Sequence, residues 1–202
     1  MIDAPEEILH PGSRALFRYW ETIRMEDSAP NRRRLDLNKI RPLVPSLFIL
    51  ERHPLKGYVW RLAGTGLCQL WRRELTGTLV LSGWDAFEKH TTERLLDGVV
   101  DAHQPFVLRL RLFTSLGHDI GVEMIGLPLG SIAGEDTHVF GAVMTFRDIG
   151  ALGYDRVSGI ELSTARVIWT EPVPGARLGL PPRSDWGDAG QPLRLIPGGR
   201  PN

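Results

Sequence analysis

The chain lacks most of the features by which a sequence announces its work. It carries one cysteine, Cys68, in 202 residues, so no intrachain disulfide forms and a reducing compartment fits the composition. Neither sign of charge is in excess: 24 basic and 24 acidic side chains leave a formal net charge of zero. A protein that works by neutralising phosphates carries a basic surplus, so nucleic acid is not an expected partner. The one basic run, Arg32-Arg33-Arg34, has no interleaved aromatics and reads as a solvated segment. No apolar run approaches the ~18 residues of a membrane span, so no membrane partner is expected. The opening MIDAPEEILHPGS has neither the basic nor the apolar stretch of a secretory leader. A cytoplasmic protein is therefore the expectation. No Ser-His-Asp or Cys-His set and no inward pair of carboxylates stands out, so no catalytic residue is assigned.

Patterning, in contrast, is rich. Ser13–Glu26 reads as an amphipathic helix with Ser13 as N-cap and Leu16, Phe17, Trp20 and Ile23 on one face. Pro42 and Pro45 make the next segment a connector. Leu47–Arg52 and Tyr58–Ala63 are short β-type runs joined through His53-Pro54-Leu55-Lys56-Gly57, which predicts a hairpin. Gly64-Thr65-Gly66 then turns the chain into a short helix over Thr65–Arg73. A longer helix is predicted over Asp85–Ala102, with Trp84, Phe87, Thr91, Leu95, Gly98 and Ala102 on one side. His103-Gln104-Pro105 stops it. Three strands follow, Phe106–Thr114, Asp119–Leu129 and Thr137–Arg147, joined as antiparallel hairpins. Arg156–Trp169 still carries apolar residues, enough for a further strand or helix. From Pro172 onward proline and glycine dominate, a composition that predicts a surface or disordered tail. The implied division is 1–43 for the helix and connector, 44–149 for the domain, and 150–202 for a C-terminal extension.

The glycine pair Gly64-x-Gly66 invites a dinucleotide reading, but Gln69 occupies the third glycine position and no parallel crossover follows. The pair reads as a strand-to-helix turn. His90, Glu93 and Asp97 can share a helix face, but Arg94 lies there too and the face reads as solvated. Arg61, Arg72 and Arg73 are able to meet an anion, though each reads first as a surface residue.

Several segments are similar to a known family. They are Tyr19-Trp20-Glu21, Pro45-Ser46-Leu47-Phe48-Ile49-Leu50, Tyr58-Val59-Trp60-Arg61-Leu62-Ala63-Gly64-Thr65, Leu67-Cys68-Gln69-Leu70 and Arg73-Glu74-Leu75-Thr76-Gly77. Together with the order of elements, they resemble a family of stand-alone bacterial PAS-like domains, over Arg14–Asp148 and most specifically at Arg61–Gly77. The resemblance implies an α+β fold. It would be a five-stranded antiparallel sheet with helices over one face, enclosing a cleft, preceded here by the N-terminal amphipathic helix. It implies a small sensory or regulatory module with no common ligand, so the cofactor is unknown and none is indicated by the residues. Haem-binding relatives use a histidine on the long helix, which makes His90 and His103 weak haem-ligand candidates, with no metal site otherwise assigned. The flavin-linked cysteine motif of photosensing relatives is absent around Cys68, which reads as a buried, inert thiol.

The candidate cleft residues are Trp60, Leu62, Cys68, Trp71, Phe87, Leu95, Leu108, Leu110 and Met124. An open cleft of this lining suits a small apolar ligand. The stripe Leu16, Phe17, Trp20, Ile23 needs cover, from its own sheet or from a second copy, so a homodimer is expected. The function expected is a non-enzymatic sensory or regulatory module that binds a small ligand or a protein partner and signals in trans. Two alternatives are a small-molecule enzyme with an isomerase-like, helix-lined cavity, and a structural dimerisation protein with a filled core.

Overall fold

The structure, a computed structural model, describes residues 3–25, 27–131, 137–147 and 155–170. The expected disorder from Pro172 onward falls outside the described residues.

The first helix, α1, spans Pro11–Arg24 and starts two residues before the expected cap. Pro11 has the φ a first helical turn needs, and His10 is the cap, its Nδ1 accepting the Gly12 amide at 3.0 Å. Ser13 is instead inside the helix and fully buried. The connector forms two 3₁₀ stretches, Arg32–Arg34 and Leu37–Ser46.

Strands β1 (Leu47–His53) and β2 (Gly57–Ala63) form the expected hairpin, closed at Gly57 with φ +83°. Helix α2 (Thr65–Trp71) follows at once. Gly64 is required there by close approach: a Cβ would sit 2.3 Å from the Pro45 carbonyl oxygen. Helix α3 (Ala86–Ala102), with Asp85 at its N-cap position, leads to strands β3 (Phe106–Thr114), β4 (Asp119–Gly130) and β5 (Thr137–Thr145). A further strand, β6 (Val157–Val167), pairs antiparallel with β3.

The sheet has six strands in the order β2-β1-β5-β4-β3-β6, with every neighbouring pair antiparallel. The five expected strands are all present, and the front of the C-terminal extension adds the sixth. Alternation along the strands divides the core into two layers. Phe48, Leu50, Trp60, Leu108, Leu110 and Met124 point to one face, beneath Leu67 and Leu70 of α2 and Leu96 and Val99 of α3. Leu47, Ile49, Ile125, Leu127 and Phe140 point to the other, beneath α1.

The α1 stripe is therefore consumed within the chain. Leu16, Phe17 and Trp20 are buried and Ile23 packs beside them, while the Trp20 indole donates to the Pro128 carbonyl at 2.8 Å. Their expected use as a dimer face is corrected: the outward strand residues Ile125 and Leu127 supply the partner surface. The α3 face is also shifted from expectation. Thr92, Leu96 and Val99 are its buried residues, Leu95 is half-buried and Phe87 is 70% exposed. The i, i+4, i+7 spacing of Thr92, Leu96 and Val99 turns the helix about one residue from the Phe87–Leu95 line.

Candidate functional site

The residues expected to line a cleft have three different fates. Trp60, Leu108, Leu110 and Met124 are buried together under the helices, with Trp60 edge-on to Phe48 at 5.5 Å between ring centroids. Cys68, Trp71 and Leu95 are half-buried against this cluster. Cys68, expected as a buried thiol, is half-buried, and its Sγ lies 3.7 Å from Glu74 Oε1. Phe87 and Leu62 leave the set altogether.

Leu62 leaves because of one extra residue. Ile49 pairs with Leu62 while Leu50 pairs with Trp60, so Arg61 is a bulge in β2. A bulge reverses the alternation beyond it. Trp60 points under the helices, and Leu62 points to the opposite face. There it lines an apolar groove of about 460 Å³ with Leu35, Leu37, Val44, Ile49 and Phe140.

A second cleft, of about 480 Å³, opens where the end of α2 faces the start of β6. Trp71, Arg72, Arg73, Ser82, Arg156 and Ser158 contribute to its wall, and no Asp or Glu does. Among the described residues, none of its three arginines makes an ion pair. Arg72 takes the left-handed conformation, φ 52°, at the C-cap of α2. Its amide and that of Arg73 donate to the Gln69 and Cys68 carbonyls at 3.3 and 3.2 Å, and its Nε donates to the Asp155 carbonyl at 3.3 Å. Trp71 packs against Trp60 with the rings tilted by 56° and their centroids 6.4 Å apart.

Asp155 closes the far end of this region. Its side chain is fully buried and accepts from the Ser115 hydroxyl at 2.7 Å, the Leu116 amide at 3.1 Å and the Arg156 amide at 2.9 Å. His118 Nδ1 lies 2.8 Å from its other oxygen. Burial alone would raise this carboxyl, but hydrogen bonds from Thr114, His118, Ser115 and the Leu116 amide outweigh it and hold it well below the ordinary range. The Ser, His and Asp do not form a nucleophilic relay. Ser115 and His118 each bond the carboxylate, and no Ser115–His118 hydrogen bond is present among the described residues. The group locks the β3–β4 turn to the start of β6.

A second buried carboxylate, Glu123 on β4, accepts the Leu9 and His10 amides at 2.9 Å each. Arg109 Nε lies 3.4 Å away, and this arginine also reaches the Glu7 carbonyl and, at 3.3 Å, the Thr164 hydroxyl. The sequence held a partial signal for Glu123, since its neighbours on the same face, Ile125 and Leu127, demanded cover. It held none for Asp155, whose partners lie some 40 residues upstream.

Of the histidines considered as haem ligands, His90 is exposed. His103 caps α3 and its Nδ1 bonds the Ser28 hydroxyl at 2.7 Å. Desolvation lowers its basicity. Among the described residues, no three or more His, Cys, Asp or Glu side chains converge as a metal site. No helix there is long and apolar enough to cross a membrane.

An antiparallel sheet in the order β2-β1-β5-β4-β3, with α2 and α3 laid over one face, defines an α+β module of the PAS type. The family model described as PAS domain matches residues 8–144, and the chain belongs to that family. Strand β6 lies beyond the matched residues. No curated protein and no solved structure matches the chain.

Proposed function

We propose that the chain is a non-enzymatic sensory or regulatory module, cytoplasmic, that binds a small ligand and signals in trans to a protein partner. The observation that supports this is the cleft between α2 and β6, which adjoins both the helix layer and the edge of the sheet. A ligand seated there touches two elements at once without displacing the core. It would thereby bias how β6 and α2 sit against each other, a local two-position element that a partner reads. Native mass spectrometry of the purified protein, with an absorption spectrum beside it, tests this. A co-purifying small molecule supports the proposal; turnover of a carbonyl substrate by the purified protein refutes its non-enzymatic part.

The filled inner face favours one second reading, a structural module that self-associates. Because α1 is already covered, a homodimer in either reading would form through surfaces other than the α1 stripe. A ligand-free dimer in the same native mass spectrum favours this second reading.

A further inference from the structure

We infer that the cleft between α2 and β6 binds a small phosphorylated molecule carrying a flat ring, of the nucleoside diphosphate class. The inference rests on the reading of the chain as a ligand-binding module and names what that module takes.

Three arginines, Arg72, Arg73 and Arg156, line one opening with no Asp or Glu among its lining residues. Like charges gathered this way repel, and an anion of two or more charges relieves them. Guanidinium forks match phosphate oxygens in geometry as well as charge. Basic residues at a helix C-terminus have an ordinary role in satisfying its carbonyls. Here the backbone amides of Arg72 and Arg73 already do that, so the Arg73 guanidinium is left for other work, while that of Arg72 is anchored through its Nε to the Asp155 carbonyl.

The wall adds an uncharged donor, the Ser82 hydroxyl, and an aromatic surface, Trp71, while the Ser158 hydroxyl is spent on the Phe113 carbonyl at 3.3 Å. The volume, about 480 Å³, lies within the span of small-molecule sites. The site is also partly preorganised. Arg72 is held on the Asp155 carbonyl, and Asp155 is locked to the β3–β4 turn. Preorganisation spares a ligand the cost of ordering its own site. Since Arg156 and Ser158 lie beyond the family-matched residues, the site is built jointly by the family domain and the added strand.

Isothermal titration calorimetry of the full chain at low salt, with pyrophosphate and ADP as probes, tests the assignment. Both bind, ADP roughly tenfold more tightly through one stacking contact. Arg73→Ala and Arg156→Ala each weaken ADP by about tenfold, the loss of one charge-assisted contact. Added salt weakens both probes. Arg61→Ala changes nothing, because Arg61 is exposed and faces Glu51 at 3.6 Å. The three substituted arginines are exposed, so their loss spares the fold. Absence of binding at millimolar probe, affinity unmoved in Arg73→Ala and Arg156→Ala, or equal affinity for the two probes overturns the assignment. A different molecule in the native mass spectrum would then leave the module reading standing and this ligand class refuted.

Discussion

Both segments that flank the family's five strands are fastened to the β3–β4 hairpin by one buried carboxylate, yet the two seams differ in what surrounds that carboxylate. At the N-terminal seam, Glu123 takes the Leu9 and His10 amides. Ile8, Leu16, Phe17 and Trp20 close over the same face with Ile125 and Leu127. At the C-terminal seam, Asp155 takes the Leu116 and Arg156 amides, but the strand it starts borders an arginine-lined cleft. The same device, a buried carboxylate, lies under an apolar roof in one place and beside an open cleft in the other. Buried apolar side chains make the first seam part of the cooperative core, whereas β6 adds only partly buried apolar side chains, Val157, Ile160, Leu162 and Ala165, to its polar anchor, so the second seam is expected to open more readily. The first is built for stability, and the second for exchange with something outside.

The largest effect is expected from emptying the N-terminal seam. Trp20 is fully buried, and Trp20→Ala should cost about 3–5 kcal/mol, the range for an aromatic truncated in a core. Chemical denaturation would show a lower midpoint for the whole chain. Glu123→Ala should follow at about 3 kcal/mol, because Arg109 loses its buried counter-charge and two amides lose their acceptor. If either variant melted only α1 and left the sheet's midpoint unchanged, the N-terminal seam would not belong to the core.

The C-terminal seam should answer differently. Asp155→Asn removes the charge but keeps the shape, and its main result is expected in hydrogen exchange. Amides of β6 should exchange faster while the global midpoint moves less than in Trp20→Ala. Acid sharpens the contrast. Because the folded Asp155 carboxyl is held below its ordinary value of 3.8, its stabilisation is complete above that pH and is lost as pH falls below it. Denaturation from about pH 5 down to about pH 3 should therefore cost the wild type more than Asp155→Asn. A uniform drop across all amides in the variant would erase the distinction between the seams.

Much of this layout was legible from residues alone. The hairpin at Leu47–Ala63 and the helix after Gly64 follow from period and punctuation, which act locally. What failed to show were features set by partners distant in sequence. Arg61 has an ordinary strand identity, and only its place opposite Ile49 and Leu50 makes it a bulge that sends Leu62 to the other face. Phe87 and Leu95 made a plausible apolar line, and the adjacent Leu96–Val99 line won because it meets β4 and β5 across the sheet. Of the cleft, only Arg72 and Arg73 stood out in the sequence, and they were grouped with Arg61; Arg156, far along the chain, joins them through topology alone.

The smallest effect is expected on the inner face, where α3 is tied to the hairpin by the buried Tyr58 and by exposed charged groups, a reference against which both seams are judged. Tyr58 donates to Asp97 at 2.7 Å, and Arg52 grips Asp101 at 2.9 and 2.8 Å. Tyr58→Phe keeps the buried ring and removes one hydrogen bond to a charge. It should cost about 1 kcal/mol, and the adjacent Arg52 pair, largely exposed, compensates little. The sign with pH is opposite to that of Asp155. Burial, then the Asp97 hydrogen bond and charge, push the Tyr58 phenol above its ordinary value of 10.0. Its contribution is therefore complete below that pH and lost as pH rises beyond it. Wild type should lose stability faster than Tyr58→Phe in alkaline denaturation and match it in acid. A Tyr58→Phe variant that instead tracked Asp155→Asn in acid would mean that α3 and β6 move as one body, with the C-terminal seam extending beneath the helix layer.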